Sequence, residues 1–218
     1  MKKRSETYGM SAVLALVSVG CAAVHGGPPA DAHVTRYLGC RSSDPNLRIV
    51  ETKRLPPDAP RFREVAVGGK TQRVSVLDGY RVLYGFEDVA AAFANVKVER
   101  SDPGAYAADK DTLIRMQQTM PSTDKVAYRH LVLNGIETHG VDKPELDVGG
   151  IVGSYVVFLD ADQAVVSLYF VNDRKAATKI SDIRAYQLVR DRFLDDLTRC
   201  FSAGGGNAPA SGPPADRP

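Results

Sequence analysis

The chain has 218 residues, 44% of them hydrophobic and 25% charged, enough apolar material for one domain with a sizeable core. That composition excludes a wholly disordered or a collagen-like chain. Lys and Arg number 28 against 26 Asp and Glu, and the excess lies in Lys2, Lys3 and Arg4 set against Glu6, so the rest of the chain is neutral and offers no electrostatic basis for binding nucleic acid or an anionic membrane surface.

Residues 1–20 read as a signal peptide. Lys2-Lys3-Arg4 is a basic start, and Met10–Val19 is an apolar run shorter than the roughly 20 residues a membrane-spanning helix needs. The run ends Val17-Ser18-Val19-Gly20-Cys21, which resembles a bacterial lipoprotein box. Val19 and Gly20 match the pattern, and Ser18 departs from the Leu preferred there. The resemblance implies that Cys21 is lipidated and becomes the new N-terminus, giving a lipid anchor to the membrane. Ordinary cleavage nearby, for instance after Ala23, and a chance apolar start are the alternatives. Residues 21–37 are rich in Gly and Pro and read as a flexible tether. Residues 38–202 form the expected globular body. Ala203–Pro218 is a Gly/Pro/Ala-rich tail expected to be disordered.

The three cysteines are Cys21, Cys40 and Cys200. With Cys21 lipidated or removed, two remain, and an exported chain usually pairs them. A Cys40–Cys200 bridge would contribute up to about 5 kcal/mol in the chain-entropy view. Two free thiols are the alternative. No Cys-x-x-Cys or Cys/His ligand spacing supports a structural zinc or a thioredoxin-like site.

Along the body, Leu47–Thr52 reads as a strand that stops before Pro56-Pro57. Phe62–Val67 and Thr71–Leu77 flank Gly68-Gly69 as a hairpin, and Tyr80–Tyr84 follows Asp78-Gly79. The Ala-rich Glu87–Asn95 predicts a short helix, and Val96–Glu99 a strand. Asp109–Met120 predicts a helix with Asp109 as its cap, Leu113, Met116 and Met120 on one face, and Pro121 as its stop. Val126–Leu133 and Ile136–Val141 flank Asn134-Gly135, a strong hairpin signal. Ile151–Leu159 and Ala164–Val171 flank Asp160–Gln163, and both faces of this last pair are largely apolar, so these strands should be covered on both sides. Ser181–Cys200 predicts a helix capped by Ser181, with Tyr186, Val189, Phe193, Leu197 and Cys200 on an apolar stripe. Arg184, Arg190, Arg192 and Arg199, interleaved with acids, read as its solvated face.

The expected fold is α+β, an antiparallel sheet covered by helices on both faces. The element order, with Asn134-Gly135, Gly149-Gly150-Ile151-Val152-Gly153, the hairpin ending Leu168–Asn172 and a terminal helix, resembles the α/β/α sandwich of PsbP-like proteins and of bacterial lipoproteins with such a fold. The resemblance covers about residues 62–200. It implies a non-enzymatic, protein-binding role and carries over no functional residue.

No catalytic residue, cofactor site or nucleophile motif emerges. G-x-S-x-G, G-x-x-x-x-G-K-[ST] and H-E-x-x-H are absent. Gly149–Gly153 reads as a turn and a bulge, and Asp160-Ala161-Asp162 as a hairpin turn lacking the rest of a Ca²⁺ loop. One constellation stands out. A two-residue turn at Asn134-Gly135 would set His130 opposite His139, with Glu137 on the same face. Two imidazoles and a carboxylate can form an open zinc site. The bland alternative is a cross-strand polar pair at a sheet margin. The expected function is therefore binding of a protein partner by an exported envelope protein. A metal-binding protein or metal-dependent hydrolase built on His130, His139 and Glu137 is the alternative, and a small-ligand carrier a third.

Overall fold

A computed structural model describes residues 32–56, 59–86, 92–123, 125–146, 149–175 and 179–204. The leader, Cys21 and the tail beyond residue 204 lie outside the described residues. The fold is α+β. A seven-stranded antiparallel sheet has the order β1-β4-β5-β9-β8-β7-β6, with β1 Leu47–Arg54, β4 Asp78–Phe86, β5 Ala92–Arg100, β6 Ala127–Leu133, β7 Ile136–Asp142, β8 Gly150–Leu159 and β9 Ala164–Asn172. A separate hairpin pairs β2 Phe62–Val67 with β3 Lys70–Ser75. A helical turn α1 Ala32–Thr35, running into a 3₁₀ turn at Arg36–Gly39, precedes β1; α2 spans Tyr106–Thr123 and α3 Ile183–Ser202. Among the described residues no helix is long and apolar enough to cross a membrane.

Two turns set the register of the hairpins. Asn134 and Gly135 both take positive φ, 51° and 79°. That backbone twist matches the twist of the flanking strands, so β6 and β7 close with Leu133 opposite Ile136. Gly68 and Gly69 do the same for β2 and β3. In β8 the register shifts between Ile151 and Gly153, the expected bulge.

Side chains of successive residues leave the sheet in opposite directions. Tyr155, Val157, Val166, Leu168 and Phe170 join one apolar cluster with Tyr186, Phe193, Leu194 and Leu197 of α3. Val156, Phe158 and Val165 join a second with Leu113 and Met116 of α2 and Val65, Val67 and Val74 of the hairpin. The strands expected to be covered on both sides are buried through both sets, as β8 shows from Val152 to Leu159.

Several boundaries differ from those read in the sequence. The body begins before residue 38, because Val34 and Tyr37 are buried in the first cluster. Residues 92–95, expected to end a helix, are strand; residues 87–91 lie outside the described ones. Phe93 is fully buried against Phe86, Phe170, Tyr186 and Phe193, and Ala94 pairs with Tyr84 and Phe170. Neighbouring strands on both sides outweigh the helix propensity of the alanines. Helix α2 starts earlier than Asp109: the amides of Ala105 and Tyr106 donate to the Asp102 carbonyl. Asp109 is not a cap, and its carboxylate accepts from the amide and hydroxyl of Ser75, tying α2 to β3. Pro121 lies inside the last turn and does not end the helix. The cap of α3 is Asp182, not Ser181; its carboxylate accepts from the amides of Arg184 and Ala185 at 2.8 and 2.9 Å. Cys40 and Cys200 form a disulfide across 160 residues, joining the start of the body to α3.

Candidate functional site

The His130–Glu137–His139 cluster stands on β6 and β7, where the Asn134-Gly135 turn sets His130 directly opposite His139 and Val132 opposite Glu137. One ligand atom from each of the three lies within 4.8 Å of the others. His139 is buried, whereas His130 is exposed. Their rings stack with centroids 4.3 Å apart and planes 7° from parallel.

Each polar atom of the inner pair is engaged. Glu137 Oε1 lies 2.9 Å from His139 Nε2 and 3.6 Å from His130 Nε2. A carboxylate can only accept, so His139 Nε2 carries a proton, and in the neutral ring Nδ1 accepts from the Tyr128 hydroxyl at 2.6 Å. Glu137 Oε2 accepts from Lys110 Nζ of α2 at 2.8 Å. Lys110 also reaches both carboxylate oxygens of Asp160, at 3.0 and 3.1 Å, and its ammonium sits 5.0 Å from the centre of the Phe158 ring. Tyr106 donates to Asp160 at 2.7 Å. The result is a chain of hydrogen bonds from β6 through β7 and α2 to the turn after β8.

The charges follow from these contacts. The Lys110 hydrogen bond, helped by that of His139, holds the Glu137 carboxyl down at about 2. Burial works against the Lys110 charge, but the hydrogen bonds to Glu137 and Asp160 prevail and raise its pKa. Burial and the bond to Asp160 push the Tyr106 hydroxyl up. Lys110 therefore supplies the positive charge that a metal ion would bring to Glu137.

The cluster can offer two imidazoles and a carboxylate to an ion. A metal on an imidazole lies in the plane of that ring along its lone pair, and two nearly parallel stacked planes have no common point close to both rings. Chelation by both histidines requires the exposed His130 to turn and Lys110 to yield Glu137. The residues read from the sequence are thus brought together, as a hydrogen-bonded stack. Lys110, Tyr106 and Asp160 were not legible with them, because they come from other elements.

A second polar cluster lies beneath α3. Arg190, read as part of a solvated face, is only 2% exposed and contacts Asp142 at 2.7 Å, while Asp191 accepts from its Nε and Nη2. Tyr155 donates to the same Asp142 oxygen. Burial pushes the Tyr155 hydroxyl up, and the nearby Asp142 adds to that. Gly140 leaves room for the Tyr155 ring, which an added Cβ would overlap. The signal for Arg190 was its place four residues after Tyr186 and seven before Leu197, on the apolar stripe itself.

Of the other residues singled out, Cys40 and Cys200 are joined and Cys21 lies outside the described residues. Asp160 and Asp162 form a short 3₁₀ turn, with Asp162 bonded to Arg36 and Tyr37. Comparison with protein-family models, curated proteins and solved structures finds no match.

Proposed function

We propose that this chain is an exported envelope protein, lipidated at Cys21, that binds a protein partner and carries out no catalysis of its own. We read its fold as a PsbP-like sandwich with helices on both sheet faces. The two apolar clusters, one shared with α3 and the other with α2, support that reading. The Cys40–Cys200 disulfide fits an oxidising compartment.

The observation that carries the binding reading is the engagement of Glu137 and His139 by their neighbours. Both oxygens of Glu137 and both nitrogens of His139 are engaged by Lys110, Tyr128 and one another. A general base needs a free lone pair aimed at its substrate, and these two residues spend theirs on holding α2 to the sheet. Binding surface is available in exposed apolar side chains, Leu188 at 72% and Val132 at 67%.

The test is photo-crosslinking in intact cells from single positions. A crosslinker at Leu188 or Val132 should give an adduct of one defined mass in the membrane fraction, and one at the exposed Arg73 should give none. Cys21→Ser should release the chain from that fraction. Absence of any discrete adduct from both apolar positions would remove the partner reading. A second reading, a metal-binding protein or metal-dependent hydrolase, is favoured by the approach of His130, Glu137 and His139 to within 4.8 Å. It predicts zinc binding that depends on His139.

A further inference from the structure

The seven-stranded sheet ends in two unlike edges. At one, β1 carries Arg48, Glu51, Lys53 and Arg54, breaks register between Ile49 and Glu51, and runs toward Pro56. Charges, a bulge and a proline are devices that keep an edge strand from pairing with another chain. At the other edge, β6 pairs with β7 alone, without a break from Ala127–Asp142 to Leu133–Ile136. It contains no proline, glycine or acid, and its one arginine, Arg129, is turned to Asp142 and Asp191.

The backbone of β6 has one open side. In a hairpin closed by two residues the closing pair, here Leu133 and Ile136, exchanges both hydrogen bonds, and bonded and non-bonded pairs then alternate. Ala127, Arg129, Leu131 and Leu133 therefore bond to β7. Tyr128, His130 and Val132 turn their N–H and C=O groups outward, and among the described residues no strand meets them. Leu131 and Leu133 pack on the cluster shared with α3, whereas Val132, on the opposite face, is 67% exposed.

We infer that β6 is a dimer edge, pairing antiparallel with β6 of a second copy about a two-fold axis at His130. In that register every outward N–H and C=O of Tyr128, His130 and Val132 finds a partner, because the bonded pairs fall on these residues in both copies. Tyr128 meets Val132 of the second copy, an aromatic against a β-branched side chain, which is a favoured cross-strand pair. Arg129 meets Leu131. Moving the axis by one residue is worse on either side. At Arg129 it sets two like charges opposite each other, and at Leu131 it sets Tyr128 against Asn134 of the turn. The contact is one strand deep, so the dimer belongs with the small, reversible interfaces. The inference does not rest on the protein partner proposed above, and a self-adduct from Val132 would have twice the mass of the chain.

The test is sedimentation equilibrium of the purified full chain carrying Cys21→Ser, which removes the third cysteine and any lipid on it. This chain should show a monomer–dimer equilibrium and no larger species. Val132→Pro removes an outward N–H that β7 does not use, and Val132→Lys places a charge in the contact. Each should weaken dimerisation about tenfold or more. Val132→Lys replaces an exposed residue opposite Glu137, so it keeps the test meaningful if Val132→Pro folds poorly. In the same background, His130→Cys should oxidise to a reducible dimer, and Val50→Cys, exposed on the β1 edge, should not. The inference is overturned if the chain is monomeric at every concentration, as it would be were the edge reserved for an extended segment of another protein. It is equally overturned if Val132→Lys dimerises as the parent does, or if Val50→Cys cross-links as readily as His130→Cys.

Discussion

Glu137 is held by a histidine on one oxygen and a lysine on the other, and this makes its protonation a stability switch. Its pKa falls from an ordinary 4.5 to about 2. A carboxyl with a depressed folded pKa contributes stability that is fully present above its unfolded pKa. That contribution is lost as pH falls from about 4.5 through about 2. A third of the side chain faces solvent, so screening holds the contribution to about 1 kcal/mol, well below the unscreened linkage value. Glu137→Gln should therefore melt a few degrees lower than wild type at pH 7, with the gap closing toward pH 2, as thermal denaturation followed by circular dichroism would measure. An unchanged gap across that range would mean that the charge of Glu137 does not matter. The juxtaposition of His130, Glu137 and His139 was legible because one Asn-Gly turn fixes every pair in its hairpin. Lys110 was not, since it reaches Glu137 from α2, a separate element, and no local pattern joins them. Lys110 is also the residue that decides the electrostatics of the cluster.

At the scale of elements, strands and caps divide by whether local sequence or neighbours determine them. The β6–β7 and β8–β9 hairpins stand nearly as read, because their β-branched and aromatic runs are bounded by turn residues. The segment 92–95 does not, because its alanines favour a helix while β4 and β9 hold it as a central strand. The start of α2 was set three residues late because Asp109, an apparent cap, serves Ser75 across the interface. In α3 the stripe was correctly placed, but Arg190 lies on it. A charge so placed needs a buried partner, and Asp142 on β7 is that partner. Removing only Arg190 leaves the carboxylate buried with the longer Arg129 contact, at 3.5 Å, as its remaining cation. Arg190→Met should cost about 3–5 kcal/mol in denaturant unfolding. Adding Asp142→Asn should recover a substantial part of it. A double mutant no more stable than Arg190→Met would show that packing of the guanidinium, and not its charge, holds α3 down.

At the scale of the whole molecule, the disulfide joins the two ends of the described body. Its pairing could be read from cysteine parity and from the stripe that carries Cys200, both of which survive without knowledge of the sheet order. The strand order itself was not legible, since β1 pairs with β4, and β5 with β9, across long stretches of chain. Reduction should lower stability by about 2–5 kcal/mol, or roughly 5–15 °C in melting temperature. Non-reduced protein should show no alkylatable thiol at Cys40 or Cys200. The central claim is that the histidine cluster is a closed staple between α2 and the sheet, with Lys110 as its cation, and that function lies in binding elsewhere. Calorimetric titration of Zn²⁺ at pH 7 into wild type, Lys110→Ala and His139→Gln tests it most directly. Wild type should show no saturable binding tighter than about millimolar, and Lys110→Ala should gain a site once the competing charge is removed. One zinc per wild-type chain at about micromolar affinity, abolished by His139→Gln, would contradict the claim and favour a metal site.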